Sequence, residues 1–289
     1  MSSKFFSTVI ILLFLSVFAC AQTATCTGWK TFTVPNQGGT QPYGINSFGT
    51  VVGGTAGVFG GTTPPPAFIR YANGGITKFR YQNQYTFFTR RNAQGITVGY
   101  YQDSSGHSHG IVVYGSKVVT INYPKASDTF PLGINLSGTI VGYYDLPGSI
   151  HTHGFEYKNG NFMSIQFPHS TDTTLQAIND NGTIVGDEFS GSGVYEGFVL
   201  TNGTFAPLKD PKASGATFPA DINNAGTIVG NYFAGVNPQS FIYSKGTFKD
   251  VVVPNATQAS IHGINATNYV TGEAYPSRGN SDGFIAHCQ

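Results

Sequence analysis

One short phrase returns six times along the chain, and it limits the fold more than any other feature. Gly44-Ile45-Asn46 is followed by Gly49-Thr50-Val51-Val52-Gly53, and Gly133-Ile134-Asn135 by Gly138-Thr139-Ile140-Val141-Gly142. Further copies carry Asn92, Asn179, Asn223 and Asn265, so the Asn-to-Asn spacings are 46, 43, 44, 44 and 42 residues. A second phrase trails each first one, as in His109-Gly110-Ile111, His153-Gly154-Phe155, Glu196-Gly197-Phe198 and Asp282-Gly283-Phe284. A third closes the unit, as in Phe248-Lys249-Asp250-Val251-Val252-Val253-Pro254.

Each unit holds four short runs of β-branched and aromatic residues at period two, separated by Gly, Asn, Ser and Pro turns. That pattern predicts a four-stranded antiparallel sheet. The turn between the first two strands needs positive φ at its fourth place. Glycine supplies it in five units and Asn268 in the sixth. A four-stranded unit repeated radially at this period predicts an all-β, six-bladed β-propeller, with blades starting near 44, 90, 133, 177, 221 and 263.

The chain ends are complementary. Residues 26–36 read as a fourth strand, while Asp282-Gly283-Phe284-Ile285-Ala286-His287-Cys288 is a third strand lacking its fourth. The N-terminal strand therefore completes the last blade and closes the ring, which removes a sheet edge. Closure brings Cys26 to Cys288, predicting a disulfide across 262 residues that contributes on the order of 4–5 kcal/mol by loop-closure entropy. Residues 1–21, with Lys4, an apolar run from Val9 to Phe18 and then Ala19-Cys20-Ala21, read as a secretory signal peptide. The mature propeller domain is then 22–289, secreted or periplasmic. The alternative is a lipoprotein anchored through Cys20.

Charged residues make only 10% of the chain, against about 25% in an average soluble domain, and the formal net charge is +1. No global field draws nucleic acid. The N-terminal apolar run is too short to span a bilayer, and no later run approaches that length. No serine elbow, zinc-protease pattern or phosphate loop is present, and no cofactor is expected. His107, His109, His151 and His153 form two His-x-His pairs, weak metal candidates because other units carry Pro66, Glu196, Gln239 or Asp282 in the place of the second histidine. Asp145, Asp187, Glu188, Glu273 and His262 lie near ends of first or second strands. Of these, His262 and Glu273 face each other across a hairpin and are the weak catalytic candidates.

The order Asn135-Leu136-Ser137-Gly138-Thr139-Ile140-Val141-Gly142, then His153-Gly154-Phe155-Glu156-Tyr157-Lys158-Asn159-Gly160, resembles the extracellular HAF-repeat proteins, named for a His-Ala-Phe triplet. The resemblance spans residues 26–288, although Gly or Ser replaces the middle Ala in most copies and His survives in two. It implies a secreted bacterial β-propeller and no particular activity.

The repeat breaks most between the first two units. Here Gln82 replaces the closing proline, and Arg90-Arg91 replaces Gly-Ile before Asn92. Two readings fit the link from Arg80 to Arg91. In one, Phe87 and Phe88 fill the blade interface and the arginines pair with carboxylates. In the other, Arg80, Tyr81, Tyr85, Arg90 and Arg91 form a ligand site on the face of the fourth-to-first loops, with Asp221 opposite at the repeat position of Arg90. The favoured function is a monomeric binding or scaffold module for an extracellular glycan or cell-surface polymer. The alternatives are a polysaccharide hydrolase or lyase and a protein–protein interaction propeller.

Overall fold

The computed structural model describes residues 23–289 apart from Ser192 and Arg278, so the expected signal peptide lies outside the described residues. The described residues form twenty-four strands and no helix. After β1 (Cys26–Phe32), the first blade is β2 (Gly39–Ile45), β3 (Val51–Ala56), β4 (Ala67–Arg70) and β5 (Ile76–Phe79). The second is β6 (Tyr85–Arg91), β7 (Ile96–Gln102), β8 (Ser108–Tyr114) and β9 (Lys117–Ile121). The third is β10 (Asp128–Ile134), β11 (Ile140–Asp145), β12 (Thr152–Lys158) and β13 (Asn161–Ile165). The fourth is β14 (Asp172–Ile178), β15 (Ile184–Phe189), β16 (Tyr195–Thr201) and β17 (Thr204–Leu208). The fifth is β18 (Thr217–Ile222), β19 (Ile228–Phe233), β20 (Pro238–Ser244) and β21 (Thr247–Val251). The sixth is β22 (Gln258–Ile264), β23 (Tyr269–Tyr275) and β24 (Asp282–Cys288), with β1 as its outer strand.

First strands of neighbouring blades lie against one another around the ring, so β2, β6, β10, β14, β18 and β22 line the central channel. Because strands alternate in direction, the second-to-third and fourth-to-first loops share one face, here called upper. The other turns share the lower face. Cys26 and Cys288 are partners in the β1–β24 ladder and form a disulfide, sealing the ring. Thr23 bridges Asp250 and the Ala24 amide donates to the Asp250 carbonyl at 2.8 Å, strapping the closure to the fifth blade.

The core lies between blades. Phe68, Phe155, Phe198, Phe241 and Phe284, one from the second phrase of each of five blades, are fully buried, and Ile111 takes the place in the second blade. Each is worth on the order of 1.5–3 kcal/mol through burial. The closing glycine of the first phrase has a structural reason. Every first strand carries a register shift, between Pro131 and Gly133 for example, and the strand bends over its neighbour there. A Cβ on Gly142 would sit 2.0 Å from the Phe130 carbonyl oxygen, so only glycine fits under the bulge.

Candidate functional site

Two rings of residues divide the channel. At the lower mouth the six repeated asparagines close a circle. Each Nδ2 donates to the backbone carbonyl of the next: Asn46 to Asn92, then Asn135, Asn179, Asn223, Asn265 and back to Asn46, at 3.1–3.4 Å. Each Oδ1 accepts an amide within its own turn, as from Thr139 at 3.0 Å. The side chain thus ties its turn and joins it to the neighbouring blade.

Just above this circle the channel is blocked. Arg90 extends from β6 and donates to the carbonyls of Tyr43, Thr89, Ala220 and His262, groups from four blades. Its Nε lies 3.4 Å from Oδ1 of Asp221, which also accepts the Ile222 amide, while Oδ2 accepts the Ile264 amide. Both side chains are buried. Burial pushes the Asp221 carboxyl up, against the pull of Arg90 and the two amides. The break in the repeat at Arg90 therefore supplies a plug, and the stretch of channel between it and the upper face is here called the upper well.

The wall of that well is divided chemically. An aromatic arc runs from His262, stacked on Tyr43 at 5.1 Å, to Phe87 at 5.6 Å, Tyr100 at 5.6 Å, Phe130 at 5.0 Å and Tyr143 at 4.6 Å. Facing it are Asp187, whose Oδ2 accepts from Gln176 Nε2 at 2.9 Å, and Glu273, whose Oε1 lies 3.7 Å from His262 Nε2. Glu273 Oε2 is buried without a partner. Burial pushes the Asp187 carboxyl up to about 7, helped by Glu188 and opposed by Gln176. Burial also raises Tyr43, against the field of Arg90, while Asp187, Glu273 and Asp221 raise it further. Tyr143 is raised by burial first, with Asp187 and Tyr43 among the contributors. The phenols and carboxylates therefore act on one volume, offering aromatic faces beside hydrogen-bond acceptors.

The expected ligand set is not brought together. Tyr85 and Arg91 occupy opposite ends of seven-residue β6, about 20 Å apart at strand rise. Near the upper end, Arg80 Nε donates to the Pro64 carbonyl at 2.6 Å, Tyr81 packs edge-on to Tyr101 at 5.0 Å, and Tyr85 packs on Tyr100. Arg91 donates to Thr97 Oγ1 at 2.6 Å near the lower face, and Arg90 and Asp221 bind each other. His262 and Glu273 do meet. The His-x-His pairs take separate carboxylates or amides. His107 lies 3.3 Å from Asp128, His151 3.2 Å from Asp172, His109 3.0 Å from Asp103 and His153 3.4 Å from Gln166. Among the described residues no three His, Cys, Asp or Glu side chains group as metal ligands.

Tyr43, Tyr100 and Tyr143 escaped the sequence reading as site residues. A signal existed. The residue after the closing glycine reads Gly54, Tyr100, Tyr143, Asp187, Asn231 and Glu273, a variable position inside an otherwise regular phrase.

The solved structures similar to this chain share its fold. They include a protein of unknown function from Dyadobacter fermentans, with a TM-score of 0.60 at 10% identity over 92% of this chain and 99% of that one. Aleuria aurantia lectin in complex with α-methyl-L-fucoside gives 0.55 at 11%, over 90% and 96%. A gluconolactonase from Xanthomonas campestris gives 0.51 at 12%, over 93% and 98%. The common element is the propeller. No protein-family model and no curated protein matches the sequence. No helix among the described residues is long and apolar enough to cross a membrane, and the disulfide suits an oxidising compartment.

Proposed function

We propose that this protein is a secreted or periplasmic propeller of the HAF-repeat kind that binds a glycan, with a sugar unit entering the upper well. The observation that carries this reading is the aromatic arc from Tyr43 to Tyr143 facing Asp187 and Glu273. Sugar rings offer apolar C–H faces that stack on phenols, and hydroxyls that donate to carboxylates. The lectin fold neighbour was solved with a fucoside and makes a glycan the first ligand class to try. A glycan array followed by titration calorimetry tests this. Tyr143→Ala and Asp187→Asn should each weaken the identified ligand at least tenfold while the protein stays folded. Unchanged affinity in both moves the site out of the well.

One observation favours a second reading, a hydrolase or lyase. Asp187, held near 7, can carry a proton at neutral pH, and Glu273 sits beside His262 with one oxygen unpartnered. Two groups in unlike environments suit general acid and general base roles. Release of cleaved oligosaccharide that Glu273→Gln abolishes would establish this reading over simple binding.

A further inference from the structure

The lower face carries a second concavity, independent of the upper well, where the ring closes between the sixth and first blades. It encloses about 650 Å³. Lys30, Ile285 and His287 supply one wall, and Phe48, Arg70 and Tyr269 stand among the other lining groups. No Asp or Glu lines it.

Arg70 is a departure from the repeat. It pairs with Val51 of the second strand, where the other five blades carry Val113, Tyr157, Leu200, Tyr243 and Ala286. Apolar or aromatic side chains fill the position everywhere else. Arg70 instead lays its guanidinium over the Phe32 ring at 4.8 Å. Its hydrogen bond among the described residues is a long one, Nη1 to the Tyr71 carbonyl at 3.4 Å, and no carboxylate pairs with it or with Lys30. Partial burial already pulls its pKa down, so water only partly compensates the charge. The guanidinium keeps most of its donors for a planar anion.

Two aromatic side chains beside these cations are left to solvent. Phe48 is 68% exposed and Tyr269 43%. Tyr269 packs on His287 at 5.0 Å, which holds its ring at the groove wall. A fork of donors, an exposed ammonium and two aromatic faces match a sugar ring that carries a carboxylate. The carboxylate takes Arg70 and Lys30, and the C–H face stacks on Phe48 or Tyr269.

We infer that the groove between the sixth and first blades is a binding site for an acidic saccharide, in which Arg70 and Lys30 hold the carboxylate and Phe48 and Tyr269 stack on the ring. The site does not depend on the reading of the upper well.

Calorimetry with the folded protein and tetragalacturonate tests the inference, with the methyl ester of the same oligomer and neutral maltotetraose as controls. Tetragalacturonate is expected to bind at least tenfold more tightly than either control, and to weaken as salt rises. Arg70→Gln should lower its affinity at least tenfold. Lys30→Gln and Phe48→Ala, at exposed positions, should weaken it several-fold without moving Tm. Asp187→Asn, in the upper well, should leave tetragalacturonate unaffected. The inference is overturned if tetragalacturonate binds no better than its ester, or if Lys30→Gln and Phe48→Ala both bind like the parent.

Discussion

Arg90 of the second blade and Asp221 of the fifth meet across the channel, Nε to Oδ1 at 3.4 Å, although 131 positions separate them in sequence. In a ring of six these blades are opposite, so the pair spans the axis. Its carbonyl acceptors come from the first, second, fifth and sixth blades. The contact plugs the channel.

Arg90→Ala leaves Asp221 buried without its cation and should cost about 3–5 kcal/mol. Calorimetry should show Tm falling by on the order of 10 °C for a domain of this size. Replacing both, Arg90→Met with Asp221→Leu, should recover most of the loss, since two apolar groups need no desolvation offset. An unchanged Tm for Arg90→Ala would show that the pair does not plug the channel.

Asp187 gives the protein a pH dependence with a definite sign. Its folded pKa, about 7, lies above the ordinary value of 3.8, so the folded state binds the proton more tightly. That contribution is fully present below about pH 4 and is lost as pH rises through 7. Asp187→Asn mimics the protonated acid. Relative to the parent it should be near neutral at pH 4 and stabilising at pH 8, by roughly 4 kcal/mol at most. Denaturant midpoints of both proteins across that range check the slope, and parallel profiles would remove Asp187 as its source.

The Cys26–Cys288 bond closes nearly the whole domain. Reduction, or Cys288→Ser, should lower stability by up to ~4–5 kcal/mol through chain entropy. Intact mass with and without reductant checks the bond itself. Because β1 also pairs along β24, the ring should still form at low temperature.

Asn135→Ala removes one link of the asparagine circle together with the acceptor for the Thr139 amide. Leaving that buried amide unpaired should cost about 2–3 kcal/mol. Hydrogen exchange at Thr139 should rise sharply, whereas an unaltered rate would mean that the turn holds without its side chain.

Strand count and ring closure were legible in the sequence because they rest on local rules. Period-two alternation marks strands, glycine and Asn268 mark turns, and the matching end fragments require the seal between β1 and β24. The closing glycine was visible as a repeat, but its cause, the Phe130 carbonyl 2.0 Å from the missing Cβ at Gly142, depends on the bulge in the opposite strand. The repeated Asn was likewise read as part of a turn. Its bond to the next blade became visible only once six turns stood in a circle.

The sequence by itself determined how each blade folds and how many there are, since neighbours within some 45 residues carry all the information for a sheet. It also flagged Arg90 as an exception. The tertiary structure decided what the exceptions do. Residues one per blade are strangers in sequence and meet only at the axis, so pairing Arg90 with Asp221, stacking Tyr43 on His262 and gathering Asp187 and Glu273 around one well required the closed ring. The same closure set Lys30 against Arg70, from opposite sides of the seam, with no acid between them.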